Sequence, residues 1–168
     1  MLNKLIDSLC NSQNTALVLN DVRYAYPELH IEVQRYYNWL MERSQGEIIG
    51  LVMHNDLGTY AFLIACVLSP CGYVVLNPTQ PVDRNRLIAL DAGISTFVGS
   101  KAEDAGLLGE GYVFFNLDEV PYSSAPLSLK PPADDAPAYI LFTSGSTGKP
   151  KGVKISTGNL NAMLAAVE

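Results

Sequence analysis

Between residues 48 and 115 the chain alternates short apolar runs with stretches of helical periodicity, and this alternation constrains the fold more than any other feature. Residues 48–53 read as a strand, residues 57–69 as a buried helix, and Val74-Val75-Leu76 as a second strand beyond a Pro70-Cys71-Gly72 turn. A helix opens at Pro81 and runs through Leu90, residues 94–98 form a strand, residues 102–108 a weak helix, and residues 112–115 a further strand. Strands separated by helices imply an α/β fold: a mostly parallel sheet covered by helices on both faces.

The flanking segments fit one domain. Ala16-Leu17-Val18-Leu19 and Val22-Arg23-Tyr24-Ala25-Tyr26 flank Asn20-Asp21, the pattern of a short hairpin. Pro27 suits the first turn of a helix, where its missing N–H costs nothing. Leu29, Val33, Tyr36 and Leu40 then recur at helical spacing, and Gly46 is expected to close that helix. Trp39 and the nearby tyrosines read as packing groups rather than a ligand cage. Half of the ten prolines fall between residues 121 and 137, so residues 118–137 are expected to form a Pro-rich connection within the domain.

Several function classes are excluded early. No charged side chain occurs over residues 57–76, about the length of a membrane span, but Pro70 and Gly72 interrupt it and His54, Asn55 and Asp56 introduce it. A buried helix followed by a turn and a strand accounts for it better. Asp7 stands where an export signal needs an apolar run. A net charge of −6 without a basic patch argues against nucleic-acid binding. Cys10, Cys66 and Cys71 lack CxxC or Cys/His spacing, so they read as reduced thiols, with a cytoplasmic compartment expected and no metal site.

The chemistry is concentrated near the C-terminus. Ala138-Tyr139-Ile140-Leu141-Phe142 has a buried-strand pattern and runs into Thr143-Ser144-Gly145-Ser146-Thr147-Gly148-Lys149-Pro150-Lys151-Gly152. Glycines let backbone N–H groups approach an anion closely. The hydroxyls of Thr143, Ser144, Ser146 and Thr147 add donors, and Lys149 and Lys151 add charge-assisted ones. A flexible linker would not be bracketed by that strand and by Val153-Lys154-Ile155. The nucleotide-binding pattern G-x-x-x-x-G-K-[ST] fails twice, because Thr143 replaces its first glycine and Pro150 its magnesium-binding hydroxyl. The decapeptide reads as a phosphate cradle at the end of a strand, with Lys151 either contacting phosphate or bracing the loop.

This stretch resembles the signature loop of the AMP-forming adenylating superfamily, which includes acyl-CoA synthetases, peptide-synthetase adenylation domains and D-alanine:carrier-protein ligases. Upstream segments match in order. Tyr26-Pro27-Glu28-Leu29 is similar to an early T-Y-x-E-L segment, and Gly46-Glu47-Ile48-Ile49-Gly50-Leu51 with Met53-His54-Asn55 to G-D-x-V-x-L…M-x-N. Gly72-Tyr73-Val74-Val75-Leu76-Asn77-Pro78, with Pro81 and Arg84, is similar to G-A-x-x-V-P-x-D-P-x-x-P-x-x-R. The resemblance implies an ATP-dependent ligase. Thr143, Ser144, Gly145, Ser146, Thr147, Gly148, Lys149 and Lys151 would embrace the β- and γ-phosphates while a carboxylic acid attacks the α-phosphate. It further implies transfer of the acyl group to a pantetheine thiol, on a carrier protein or coenzyme A, and a Mg²⁺ ion whose ligand lies outside this chain.

Two departures stand out: Asn77 where many relatives have Asp, and Thr157 where many have His. Amino-acid-activating relatives also lack that His and resemble the chain in Ala138-Tyr139-Ile140, which favours an amino-acid substrate. The alternatives are an acyl-CoA synthetase for a fatty or aryl acid, and a non-catalytic N-terminal docking module. The family's acyl-pocket walls, its Y-G-x-T-E segment, its ribose-binding Asp and its catalytic Lys do not occur in the sequence. Residues 1–168 are therefore expected to be the incomplete N-terminal part of an adenylation domain, inactive alone, with no complete catalytic set. A final helix is expected from Asn159, carrying Leu160, Met163, Leu164 and Val167 on one face.

Overall fold

The computed structural model describes residues 2–124, 126, 128–144 and 150–166. It opens with a helix that the periodicity reading does not contain, α1 (Leu2–Asn11), anchored by Leu2 and Leu9 in the core. The hairpin follows as β1 (Thr15–Leu19) and β2 (Val22–Ala25), paired antiparallel. Asn20 and Asp21 take φ of 50° and 65°, the pair of left-handed residues that a tight two-residue turn needs. Helix α2 (Tyr26–Met41) carries Pro27 in its first turn, and Glu28 reaches back to accept from the Ala25 N–H at 2.8 Å. It ends at Met41, not at Gly46. That glycine, at φ 81°, makes the turn into the next strand instead.

The alternation then appears as expected: β3 (Ile48–Val52), α3 (Leu57–Leu68), β4 (Gly72–Leu76), α4 (Val82–Ala92), β5 (Thr96–Gly99), a 3₁₀ turn at Ala102–Gly106 and β6 (Val113–Asn116). After the connection come β7 (Pro137–Ser144), β8 (Pro150–Ser156) and α5 (Thr157–Ala165). The main sheet has the order β6-β5-β3-β4-β7-β8 and is parallel except between β7 and β8. Every residue of central β3 is buried, as helices on both faces require. Gly50 within it is a packing glycine, since a Cβ there would meet the side chains of Ile94, Phe97 and Leu76.

Helices α2 and α3 cover one face through Leu29, Val33, Tyr36, Leu40 and Phe62, whereas α4 covers the other through Ile88 and Ala89. Trp39 is a packing group: its ring meets Phe115 edge-on with centroids 5.2 Å apart, and the Arg43 guanidinium lies over it at 3.9 Å. The Pro-rich connection is pinned at its start. Arg35, buried on α2, donates to the carbonyls of Val120 and Asp118, pairs with Glu32 at 3.1 Å and stacks on the Tyr122 ring. Val120 and Leu129 lie buried in the same core as α2. Among the described residues no helix is long and apolar enough to cross a membrane.

Candidate functional site

The phosphate-cradle residues are approached along a hairpin. β7 joins the parallel sheet through Tyr73↔Tyr139 and Val74↔Ile140, and then runs out antiparallel to β8. In that ladder Phe142 faces Gly152, Thr143 faces Lys151, and Ser144 faces Pro150. Directly opposed side chains on an antiparallel pair lie about 5 Å apart on one face. A hydroxyl and an ammonium therefore stand side by side at the carboxyl end of β7, both exposed. Gly145, Ser146, Thr147, Gly148 and Lys149 lie outside the described residues; the ladder brings their two flanks, Ser144 and Pro150, to adjacent positions.

Gly152 has a different role from the one its place in the decapeptide suggests. A Cβ there would approach the Phe142 ring at 2.9 Å and Ile140 at 3.1 Å. The glycine leaves room for an aromatic ring across the ladder, so it serves packing on the α4 face. Residues alternate between faces along a strand. Phe142 and Ile140 thus pack toward α4, while Thr143, Lys151, Leu141 and Val153 occupy the opposite, exposed face.

A second polar cluster forms where the connections of adjacent parallel strands diverge. The chain leaves β3 toward β4 on one side and leaves neighbouring β5 toward β6 on the other, the position where open α/β sheets form a crevice. His54 Nε2 lies 3.0 and 2.9 Å from the two carboxylate oxygens of buried Asp104. Asp56 caps α3 by accepting from the Thr59 N–H at 2.8 Å, and its other oxygen accepts from Ser100 Oγ at 2.6 Å. These bonds stitch the β3 and β5 ends together beneath a cavity of about 550 Å³ that Lys101 and Glu103 also line. The sequence shows His54 only at the variable position of an M-x-N segment and Asp56 only as a polar residue before a helix, and Asp104, fifty residues beyond His54, carries no motif.

Thr157 is withdrawn from this surface. It is buried, donates its N–H to the Ala136 carbonyl at 2.9 Å, and belongs to a helix start capped by Ser156. On the same helix Leu160 is buried, whereas Met163 is exposed, so the expected apolar face is only partly covered; Val167 lies outside the described residues. Among the described residues no three His, Cys, Asp or Glu side chains converge on a common point.

The family model described as AMP-binding enzyme matches residues 9–168. Bacitracin synthase 1 of Bacillus licheniformis is 31% identical over 143 residues, which are 84% of this chain and 2% of that protein. The N-terminal subdomain of Klebsiella oxytoca NpsA, solved with 3-hydroxybenzoyl-AMSN, superposes with a TM-score of 0.78 at 21% identity, over 92% of this chain and 40% of that one. The o-succinylbenzoate CoA synthetase MenE of Bacillus subtilis, solved with its acyl-adenylate OSB-AMP, superposes with a TM-score of 0.79 at 22% identity, over 98% of this chain and 45% of that one. The chain thus spans a small fraction of the length of the curated relatives it matches.

Proposed function

The chain belongs to the AMP-binding enzyme family, and from that premise we propose that the whole protein is an ATP-dependent, adenylate-forming ligase in which these residues supply the phosphate-binding part. The observation that carries the proposal is the β7–β8 ladder. It sets Thr143 beside Lys151 and brings the two ends of a Gly/Ser/Thr/Lys segment together at the end of a strand in an α/β sheet.

The chemistry follows from the donors. Backbone N–H groups of a glycine-containing segment, the hydroxyls of Thr143, Ser144, Ser146 and Thr147, and the ammonium groups of Lys149 and Lys151 suit the β- and γ-phosphates of ATP. Held there, the triphosphate presents its α-phosphorus to a carboxylate. Attack forms the acyl-adenylate, breaks the bond to the β-phosphate oxygen, and releases pyrophosphate. The loop's share is to hold the departing charge, which is the electrostatic part of the rate enhancement.

The substrate class proposed is an amino acid, supported by the relationship to bacitracin synthase 1 and by Ala138-Tyr139-Ile140 leading into the loop. The acceptor proposed is the phosphopantetheine thiol of a carrier protein. Acid-dependent exchange of labelled pyrophosphate into ATP, measured on the full-length protein across amino, aryl and fatty acids, tests all of this. Exchange with amino acids is the expected result. Exchange only with aryl or fatty acids, followed by transfer to coenzyme A, would move the protein to the acyl-CoA synthetase class. A well-folded protein showing none with any acid would overturn the ligase reading.

A further inference from the structure

The parallel ladder between β4 and β7 covers only Tyr73↔Tyr139 and Val74↔Ile140. Beyond those rungs β7 pairs with β8 alone, and a cleft of about 340 Å³ opens between the carboxyl ends of β4 and β7. That volume lies within the range of small-ligand sites. Its walls are mostly apolar, with Val75 and Leu141 at the exposed mouth and Ile88 and Phe142 deeper. Among its described lining residues the only charged one is Arg84, from the first turn of α4, accompanied by Asn77 and Gln80.

Arg84 differs from the arginines around it. Arg35 has carbonyl, carboxylate and aromatic partners, Arg43 stacks on Trp39 and Phe115, and Arg86 donates to the Leu108 carbonyl at 2.8 Å. The Arg84 guanidinium has no hydrogen bond or ion pair among the described residues, and its Nε is buried without an acceptor. An unpartnered buried donor costs about 1–3 kcal/mol. Asn77, the neighbour that could answer it, is engaged elsewhere: its side-chain oxygen accepts from the Thr79 N–H and hydroxyl, and its backbone is held at both ends by Asn85.

We propose that this cleft is a binding site for a small monocarboxylate with an apolar body, with Arg84 anchoring the carboxylate and the strand ends receiving the hydrocarbon. A guanidinium offers the forked donor geometry that a carboxylate matches. One cation on apolar walls neutralises one negative charge. A phosphate dianion would keep one negative charge without a cation against Val75, Leu141 and Phe142, since the remaining polar lining groups, among them Asn77 and Gln80, are neutral. The site uses none of the loop residues assigned to ATP, so it stands or falls independently of the ligase reading.

Backbone amide NMR of the full-length protein, titrated with phenylacetate and hexanoate, tests the proposal. Saturable shifts centred on Val75, Leu141 and Arg84 are expected, with at least tenfold weaker binding of phenylacetamide and hexanamide and no shifts there with inorganic phosphate. Arg84→Gln should weaken carboxylate binding at least tenfold, Arg84→Lys should retain part of it, and Leu141→Asp, at an exposed position, should abolish it by placing a negative charge at the mouth. The spectra themselves report whether each variant is folded. Equal binding of carboxylate and amide, parental affinity in Arg84→Gln and Leu141→Asp, or shifts confined to residues outside the cleft would each overturn the assignment.

Discussion

Gly99 and Asp104 are fitted to one another. The Asp104 carboxylate occupies the space that a Cβ on Gly99 would need, and from there it meets His54 Nε2 at 2.9 Å and accepts from the Lys101 N–H at 3.1 Å. Gly99→Ala is therefore expected to push the carboxylate off both partners and cost about 1–3 kcal/mol, the usual price of overpacking. Gly106, in the same 3₁₀ turn, has nothing within 4 Å of its Cβ position, so Gly106→Ala should stay within about 0.5 kcal/mol of the parent. Urea midpoints of the two variants check this; equal midpoints would show that the fit carries no stability.

Arg35 should be a costly position to neutralise on α2. Arg35→Met keeps the aliphatic stem but leaves the carbonyls of Val120 and Asp118 without their donor and the Glu32 carboxylate without its cation. A loss of about 2–4 kcal/mol is expected from removing one side of a buried charge-assisted network. Because the bonds tie α2 to the start of the connection, chymotrypsin should also cut faster after Tyr122 in the variant. Unchanged cleavage there, with lower stability, would place the effect in the helix alone.

The strands and helices were legible because apolar period and turn residues carry them locally. Asn20-Asp21 supplied two residues that tolerate positive φ, and the charge-free α3 could only be a buried helix or a span. What failed depended on contacts distant in sequence. α1 is the exception, since Leu2, Leu5, Ile6 and Leu9 recur at helical spacing and carry it locally, whereas Gly46 reads as a helix end because a glycine after an apolar stripe has the same local look in a cap and in a later turn. The candidate site divides in the same way. Thr143 and Lys151 belong to one contiguous motif, whereas the pairing of His54 with Asp104 needs β3 and β5 to be neighbours, which the strand order decides and the motif does not. Gly152 looked like a phosphate glycine because its partner, the Phe142 ring, is reached only across the ladder.

Lys151 separates phosphate contact from loop bracing. In the full-length protein, Lys151→Ala removes a charge-assisted contact worth about 1.5–3 kcal/mol, so kcat/KM for ATP in the exchange reaction should fall by roughly 10- to 100-fold. The residue is exposed on a ladder position whose backbone pairing with Thr143 any side chain can keep, so the urea midpoint should barely move. Parental exchange kinetics would remove Lys151 from the phosphate site. A large loss of stability would instead identify it as a brace.

Alkaline conditions should expose the cost of burying acids that must stay neutral. Burial pushes the Cys71 thiol up from its ordinary 9 to about 11; the nearby Glu47 charge adds to this, while the Ser69 hydrogen bond and Arg43 pull it back. Burial raises the Cys66 thiol as well. A raised folded-state value means that above pH 9 the unfolded chain releases these protons while the folded chain keeps them. Stability contributed by the neutral thiols is complete below about pH 9 and declines as the pH climbs toward 11, by at most about 1.4 kcal/mol per pH unit for each thiol. Tyr36 and Tyr73, whose hydroxyls burial also raises, extend the decline above pH 10 with the same sign. Urea unfolding at pH 8, 9 and 10 should show little change over the first step and a marked fall over the second. Cys71→Ala should roughly halve the fall between pH 9 and 10 whatever it does to stability at pH 8, since Cys66 still contributes. A parental slope in that variant would mean that the Cys71 thiol ionises in the folded chain as easily as in the unfolded one.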